Sequence, residues 1–454
     1  MSIIIIGAGE VGYHLARRLS QEKQNVVIID RDPEKIRRVQ NTLDVQAIQG
    51  SGGSVGVLKQ AGISEASMII AVTNSDEANM ISCLVAGVQD RVPKKIARVR
   101  DPDYSALFPL FDKEHLDIDY VINPDLEVAE MILKLVEVPE ATELVDFADG
   151  QIRMIGFPLP PDSSSAGKSL AELSRLYPQS GLIIAAVQKG ERVFIPKGPD
   201  TLSANDLLFL VMDRKRTAQA LNSFGTKHRP IKKVMILGGG FIGLFLADTL
   251  EDRGVQIKII EQNESRCLEI AQKCSRALVL RGDATYQDLL LEENVQEMDA
   301  FIAVTDDEET NVMISLLAKK MGVRRVMTLV NKVAYSPLVH AIGVDVVISP
   351  RHAAVDKIMQ FIRRGKILSI SSLSEDNAEA FEAIAMETSD IVGRPLREIE
   401  FPRDAIVGAL VRGSEVIIPK GSTVIEPGDR VMIFALKTAI PQVEKMMTVK
   451  LEYW

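Results

Sequence analysis

Three glycines at fixed spacing, followed by one carboxylate, are the groups in this chain best placed to do chemistry. Gly7-Ala8-Gly9-Glu10-Val11-Gly12 has the form G-x-G-x-x-G. In that form Gly7 permits a tight turn, Gly9 lets a pyrophosphate approach the backbone, and Gly12 lets a helix pack close to a sheet. The first N–H groups of such a helix have no partner within it and point at phosphate oxygens. Asp30 stands where a carboxylate accepts hydrogen bonds from ribose hydroxyls. The chemistry on offer is recognition of a nucleotide by its phosphates and sugar. The bland alternative is a glycine-rich turn that only packs a helix.

These groups need a strand before the turn and a helix after it. Ser2–Ile6 supplies four consecutive isoleucines, the pattern of a buried parallel strand. Val11, Leu15 and Leu19 share one face of the following helix. Val26–Ile29 is the next strand and ends at Asp30. Asp32-Pro33 opens a second helix with Ile36 and Val39 inward. Further strands are expected over Val45–Gln49, Met68–Thr73, Lys95–Arg100 and Asp119–Ile122. A second glycine-rich loop lies at Gly50–Ser54 and an acidic helix start at Asn74–Glu77. Strand and helix alternate, so the sheet should be parallel and doubly wound.

Beyond it, Pro124 begins a helix with Met131, Ile132 and Leu135 on one face, ending near Pro139. The texture then changes. Leu182–Val187 and Arg192–Ile195 flank a Lys189-Gly190 turn, and Leu207–Met212 is another strand, which makes a small α+β module. Thr226–Pro230 reads as a linker.

The pattern then recurs. Gly238-Gly239-Gly240-Phe241-Ile242-Gly243 repeats the first turn 231 residues on, and Glu261 repeats Asp30. Ala303-Val304-Thr305 repeats Ala71-Val72-Thr73, one residue further displaced. Ile195-Pro196-Lys197-Gly198 returns as Ile418-Pro419-Lys420-Gly421. The fold class is therefore α/β: two Rossmann-like parallel-sheet domains, each followed by a small α+β domain. The expected boundaries are 1–124, 140–225, 231–350 and 368–454.

Composition narrows the function. The 454 residues are 46% hydrophobic and 25% charged, as in soluble globular proteins. A net charge of −9 argues against a nucleic-acid surface, which should be basic. Three scattered cysteines form no disulfide framework and suggest a reducing compartment. No apolar run reaches membrane-spanning length, and the first one is already the strand, so a cytoplasmic chain is expected.

The sequence resembles the TrkA-type family of paired RCK modules, regulators of potassium conductance. The residues that carry this are GAGEVG at 7–12, AVTNSDEAN at 71–79, GGGFIG at 238–243, RGDAT at 281–285 and the two IPKG turns. The resemblance covers nearly the whole chain, and the tandem order is more specific than any one motif. It implies a cytoplasmic regulatory subunit, peripheral on the inner face of the plasma membrane. It implies a homotetramer beneath a Trk-type potassium-translocating membrane partner, switched by NAD(H) or by ATP and ADP. Carried over position by position, Gly7, Ala8, Gly9, Glu10 and Val11 would line the phosphates, Asp30 would hold the ribose, and Thr73 and Asn74 would approach by backbone. Arg98 would offset phosphate charge. Near a strand's carboxyl end, a guanidinium also suits a pyrophosphate on chemical grounds.

In the second half, Gly238, Gly240 and Glu261 repeat the binding groups, and Asp283 adds a carboxylate. The position of Arg98 is expected near Thr328, so a phosphate counter-charge is missing. That crevice is read as competent for a nucleotide of different preference or affinity, against a fold kept for packing. Arg31 could tolerate a ribose phosphate, but Asp30 repels one, which favours NAD or an adenine nucleotide over NADP.

Other residues are read blandly. Cys267, Cys274 and Cys83 fall on apolar helix positions and read as core. The five histidines never cluster at metal-ligand spacing, and His14 should lie on the outer face of the first helix. Gly167-Lys168-Ser169 lacks the glycine and strand of a P-loop. Arg363-Arg364 should be solvated. An NAD-dependent oxidoreductase with an unrecognised substrate is the alternative function, and a scaffold with structural nucleotides a third. No acid/base constellation supports the first of these.

Overall fold

The computed structural model describes residues 2–447 apart from 91, 102, 105–107, 178–180, 227, 333–334, 363–366 and 374–376. Arg363-Arg364 lie outside the described residues. Two compact units are present: residues 1–128 with 331–333 and 349–362, and residues 129–330, 334–348 and 363–454. Among the described residues no helix is long and apolar enough to cross a membrane.

In the first unit the isoleucine run forms β1 (Ser2–Ile6), and Ile4 and Ile5 are wholly buried. Side chains alternate across a strand, so burial of consecutive residues means that both faces are covered. Around it lie β2 (Asn25–Asp30), β3 (Gln46–Gln49), β4 (Ala66–Ala71), β5 (Lys95–Arg98) and β6 (Tyr120–Ile122), all parallel, in the order β3-β2-β1-β4-β5-β6. Helix α1 (Glu10–Gln21) follows β1, and α2 (Pro33–Thr42) follows β2, with Asp32 accepting from the Glu34 N–H as its cap. Helices α3 (Val55–Gln60) and α4 (Asp76–Asp90) complete the connections. The order reverses direction at β1, which opens a crevice beyond the carboxyl ends of β1 and β4.

The unit also contains a helix from far along the chain, the crossover helix Pro350–Ile362. Its Asp356 accepts from Arg18 of α1 at 2.9 Å, and its Phe361 stacks on Tyr120. Arg351, only 5% exposed, donates to Glu10 at 3.0 Å and lies 2.9 Å from the His14 Nε2. This corrects the expected placement of His14: the outer face of α1 is covered.

Burial first, and then the Arg351 charge, push His14 down from 6.5 to about 4. The unfolded chain therefore takes up a proton near pH 6.5 that the folded chain refuses until pH nears 4. The stability this contributes is complete above pH 6.5 and is lost as pH falls towards 4, by about 3 kcal/mol at most. His14→Asn should flatten that slope, as measured by urea unfolding across the same range.

In the second unit, a second parallel sheet repeats the order with strands Leu278–Arg281, Gln256–Glu261, Lys233–Leu237, Ala300–Ala303, Arg325–Leu329 and Val346–Ile348. Two five-stranded antiparallel sheets accompany it. One contains the Leu182–Lys189 and Arg192–Phe194 hairpin, with Gly190 at φ +59° in its turn. It also contains Glu143–Phe147 and Ile152–Pro158, strands that the sequence reading passed over. The other repeats it with strands between Ser369 and Leu436. The two share a core in which the Phe209 and Phe434 rings are 5.9 Å apart.

Candidate functional site

The first crevice is a cavity of about 350 Å³. Gly7, Gly9, Asp30, Thr73 and Asn74 line it, as do the Gly50–Gly53 loop, Arg31 and Lys35. Gly7 has φ +104°, a left-handed conformation that favours glycine, and packs on the Val72–Thr73 backbone. A Cβ on Gly12 would stand 1.8 Å from the Gly7 carbonyl oxygen, so α1 can approach the turn only with glycine there. Gly9 is different. It caps α1 with φ −67° and ψ −171°, uses no side-chain cap, and a Cβ there would meet nothing within 4 Å. The space beside it is open, and the first N–H groups of α1 are available to an anion.

Asp30 ends β2 and is fixed by the backbone. Its Oδ2 accepts from the Ala8 N–H at 2.6 Å and its Oδ1 from the Asp32 N–H at 2.8 Å. A carboxylate has about four lone-pair sites, so two remain for a ribose. Ala8 is buried, and only its backbone belongs to the site. Val11 is buried in the helix packing. The Glu10 carboxylate pairs with Arg38 at 2.8 Å and Arg351 at 3.0 Å and does not line the cavity. Burial raises its pKa, but these two arginines outweigh that and leave it lowered. Of Glu10 and Val11, then, only the helix N–H groups are available to phosphates.

The Thr73–Asn74 loop is shaped by a residue the sequence reading did not single out. Asn79, wholly buried, accepts from the Thr73 N–H at 2.8 Å and the Thr73 hydroxyl at 2.7 Å. It donates to the Thr73 carbonyl at 3.1 Å and to the Arg98 carbonyl at 2.8 Å. Its repetition within the AVTNSDEAN and AVTDDEETN segments was the available signal. Lys35 had no such signal, since only the folding of α2 over the crevice brings it there. Arg98 ends β5 outside the cavity lining, with its Nη1 3.4 Å from the Asn74 Oδ1. Burial, and then the charge of Arg100, lower its pKa.

The second crevice repeats this plan. Gly238 has φ +105°, Gly240 faces open space, and a Cβ on Gly243 would stand 2.0 Å from the Gly238 carbonyl oxygen. Glu261 accepts from the Gly239 N–H at 2.8 Å and the Asn263 N–H at 2.8 Å, as Asp30 does in the first. Gly239 replaces Ala8 because a Cβ there would meet Ile270 at 2.3 Å. Asn311 takes the place of Asn79, bonding the Thr305 N–H and the Leu329 carbonyl. The counterpart of Arg98 is thus Leu329, not Thr328, and strand pairing agrees: Leu329 lies opposite Ile348 as Arg98 lies opposite Ile122. Thr328 is buried and donates to the Ser315 hydroxyl. Of the cysteines, Cys83 and Cys274 are buried, while Cys267 is half-buried rather than core.

The TrkA-N domain family model matches residues 3–124 and 234–350, and the TrkA-C domain model matches 154–225 and 381–448. The chain belongs to the TrkA family. It is 38% identical over 458 residues to the Trk system potassium uptake protein TrkA of Halomonas elongata. It is 37% identical over 460 residues to that of Azorhizobium caulinodans, and each alignment covers 100% of both chains. Among solved structures it is similar to the GsuK RCK domain, with TM-score 0.61 and 18% identity over 98% of this chain and 94% of that one. The GsuK channel bound to NAD gives TM-score 0.60 and 18% identity over 98% and 78%. At that identity the likeness is one of fold, and the fold is that of tandem RCK modules.

Proposed function

We propose that this chain is the nucleotide-sensing regulatory subunit of a Trk-type potassium uptake system, organised as domains 1–124, 140–225, 231–350 and 368–454. NAD(H) or ATP and ADP occupy the crevices, with phosphates on the α1 N–H groups and ribose on Asp30 in the first and on Glu261 in the second. Thr73 and Asn74 meet the ligand by backbone, and Arg98 turns towards its phosphates. The chain works without turnover, as a homotetramer held at the inner membrane face by the potassium-translocating partner. Ligand affinity that differs between two arrangements of the chain supplies about 1–3 kcal/mol of coupling, the usual scale.

The observation that carries this reading is that an open capping glycine beside a backbone-fixed carboxylate occurs twice. The names of the full-length relatives point to potassium uptake. Asp30→Ala should weaken nucleotide binding at the first crevice about tenfold or more, by loss of charge-assisted hydrogen bonds. An unchanged calorimetric titration overturns the assignment. Potassium flux through the reconstituted partner should respond to added nucleotide, and steady consumption of NADH by the chain alone would make it an enzyme instead.

A further inference from the structure

The two crevices share their backbone and differ in charge. In the first, Arg31 and Lys35 line the cavity beside Asp30, and Arg31 donates to the Ser51 hydroxyl at 2.8 Å. Arg98 is close by through Asn74, and its Nε has no hydrogen-bond partner among the described residues. Two cations therefore line the crevice beside one carboxylate, and a third, Arg98, stands just outside the lining behind Asn74. At the corresponding positions of the second crevice stand Gln262, Arg266, Asp283 and Leu329. Arg266 is committed, donating to the Gly239 carbonyl at 2.6 Å and pairing with Glu269. Asp283 accepts from the Thr285 N–H and hydroxyl. At these positions the second half therefore carries two carboxylates, Glu261 and Asp283, and one engaged cation, while the neighbouring Arg281 pairs with Glu264. The capping glycines, Gly9 and Gly240, have nearly the same backbone angles, so the helix N–H groups serve both crevices alike. Discrimination must come from the side chains.

We propose that the crevices sort nucleotides by phosphate charge: relative to the second, the first favours an adenine nucleoside polyphosphate over the less charged dinucleotide NADH. This rests on the nucleotide-sensing reading above and assigns each class of ligand to its half. Arg98 and Lys35 neutralise phosphates that extend past the α1 N–H groups. In the second half Leu329 offers no such charge, and Asp283 repels added phosphate.

The test uses the full chain with one crevice closed at a time, by Gly240→Thr or by Gly9→Thr, and calorimetric titration of ATP and NADH against each. The ratio of ATP to NADH affinity should be about tenfold or more higher when only the first crevice is open, one charge-assisted hydrogen bond being worth that much. Arg98→Leu in the Gly240→Thr chain should lower the ATP affinity and spare that for NADH. Asp283→Ser in the Gly9→Thr chain should raise the affinity for ATP, and this separate, half-buried site keeps the test independent of any folding defect at Arg98. Equal ratios in the two chains, or loss of both ligands alike with Arg98→Leu, overturn the inference and leave nucleotide sensing intact. If the unaltered chain binds neither ligand, the functional reading fails first and the inference fails with it.

Discussion

Gly9→Thr should abolish nucleotide binding at the first crevice, by about a hundredfold or more, while leaving the unfolding free energy within about 0.5 kcal/mol. A Cβ at Gly9 meets nothing within 4 Å in the free protein, and the backbone there is extended, so threonine fits without strain. Threonine and glycine are also similar as helix caps. The added methyl and hydroxyl fill the space a phosphate needs to reach the α1 N–H groups. Gly12→Ala provides the contrast. Its methyl would stand 1.8 Å from the Gly7 carbonyl oxygen, so α1 must move and the fold itself is damaged. Thermal unfolding alongside calorimetry separates the two. Normal affinity in a folded Gly9→Thr chain would show that phosphates do not bind at this helix end.

Asn79→Asp is the second large effect, and it acts through the fold. The change is nearly isosteric, yet it replaces the amide that donates to the Thr73 and Arg98 carbonyls with an oxygen that repels both. The site is wholly buried, so the lost donors and the added charge should cost about 3 kcal/mol or more. The Thr73–Asn74 loop loses its anchor at the same time, so nucleotide affinity should fall with stability. Urea unfolding measures the first effect and titration the second. A variant as stable as the parent chain would mean that the loop is held by other contacts. Asn311→Asp should act in the same way in the second half.

Much of this plan was legible in the sequence because it is local. Four isoleucines before a G-x-G-x-x-G turn permit few structures other than a buried strand and a helix, and β1 and α1 lie there. The duplication was equally legible, since displacement of a motif needs no knowledge of space. Its register was so only in part. Asp30 and Glu261 are displaced by 231 residues, whereas their strand partners Gln49 and Arg281 are displaced by 232. The extra residue is absorbed before the third strand and given back before the fifth, so Leu329 again stands 231 residues beyond Arg98 and the expected Thr328 falls one residue short. Lys35, Asn79 and the pairing of the Glu10 carboxylate with Arg38 and Arg351 were not legible, because they depend on what folds over them. His14 was misplaced for the same reason: its cover comes from residues more than three hundred positions away.

That cover bears on the birth of the protein. A ribosome delivers α1 and β1 first, but Arg351 and Phe361, which shield His14 and stack on Tyr120, emerge only after most of the chain has been made. The first unit to be translated is therefore among the last to be finished, and its contacts of longest sequence separation form late. Until then the nascent amino-terminal sheet carries an uncovered helix and waits for its final turns.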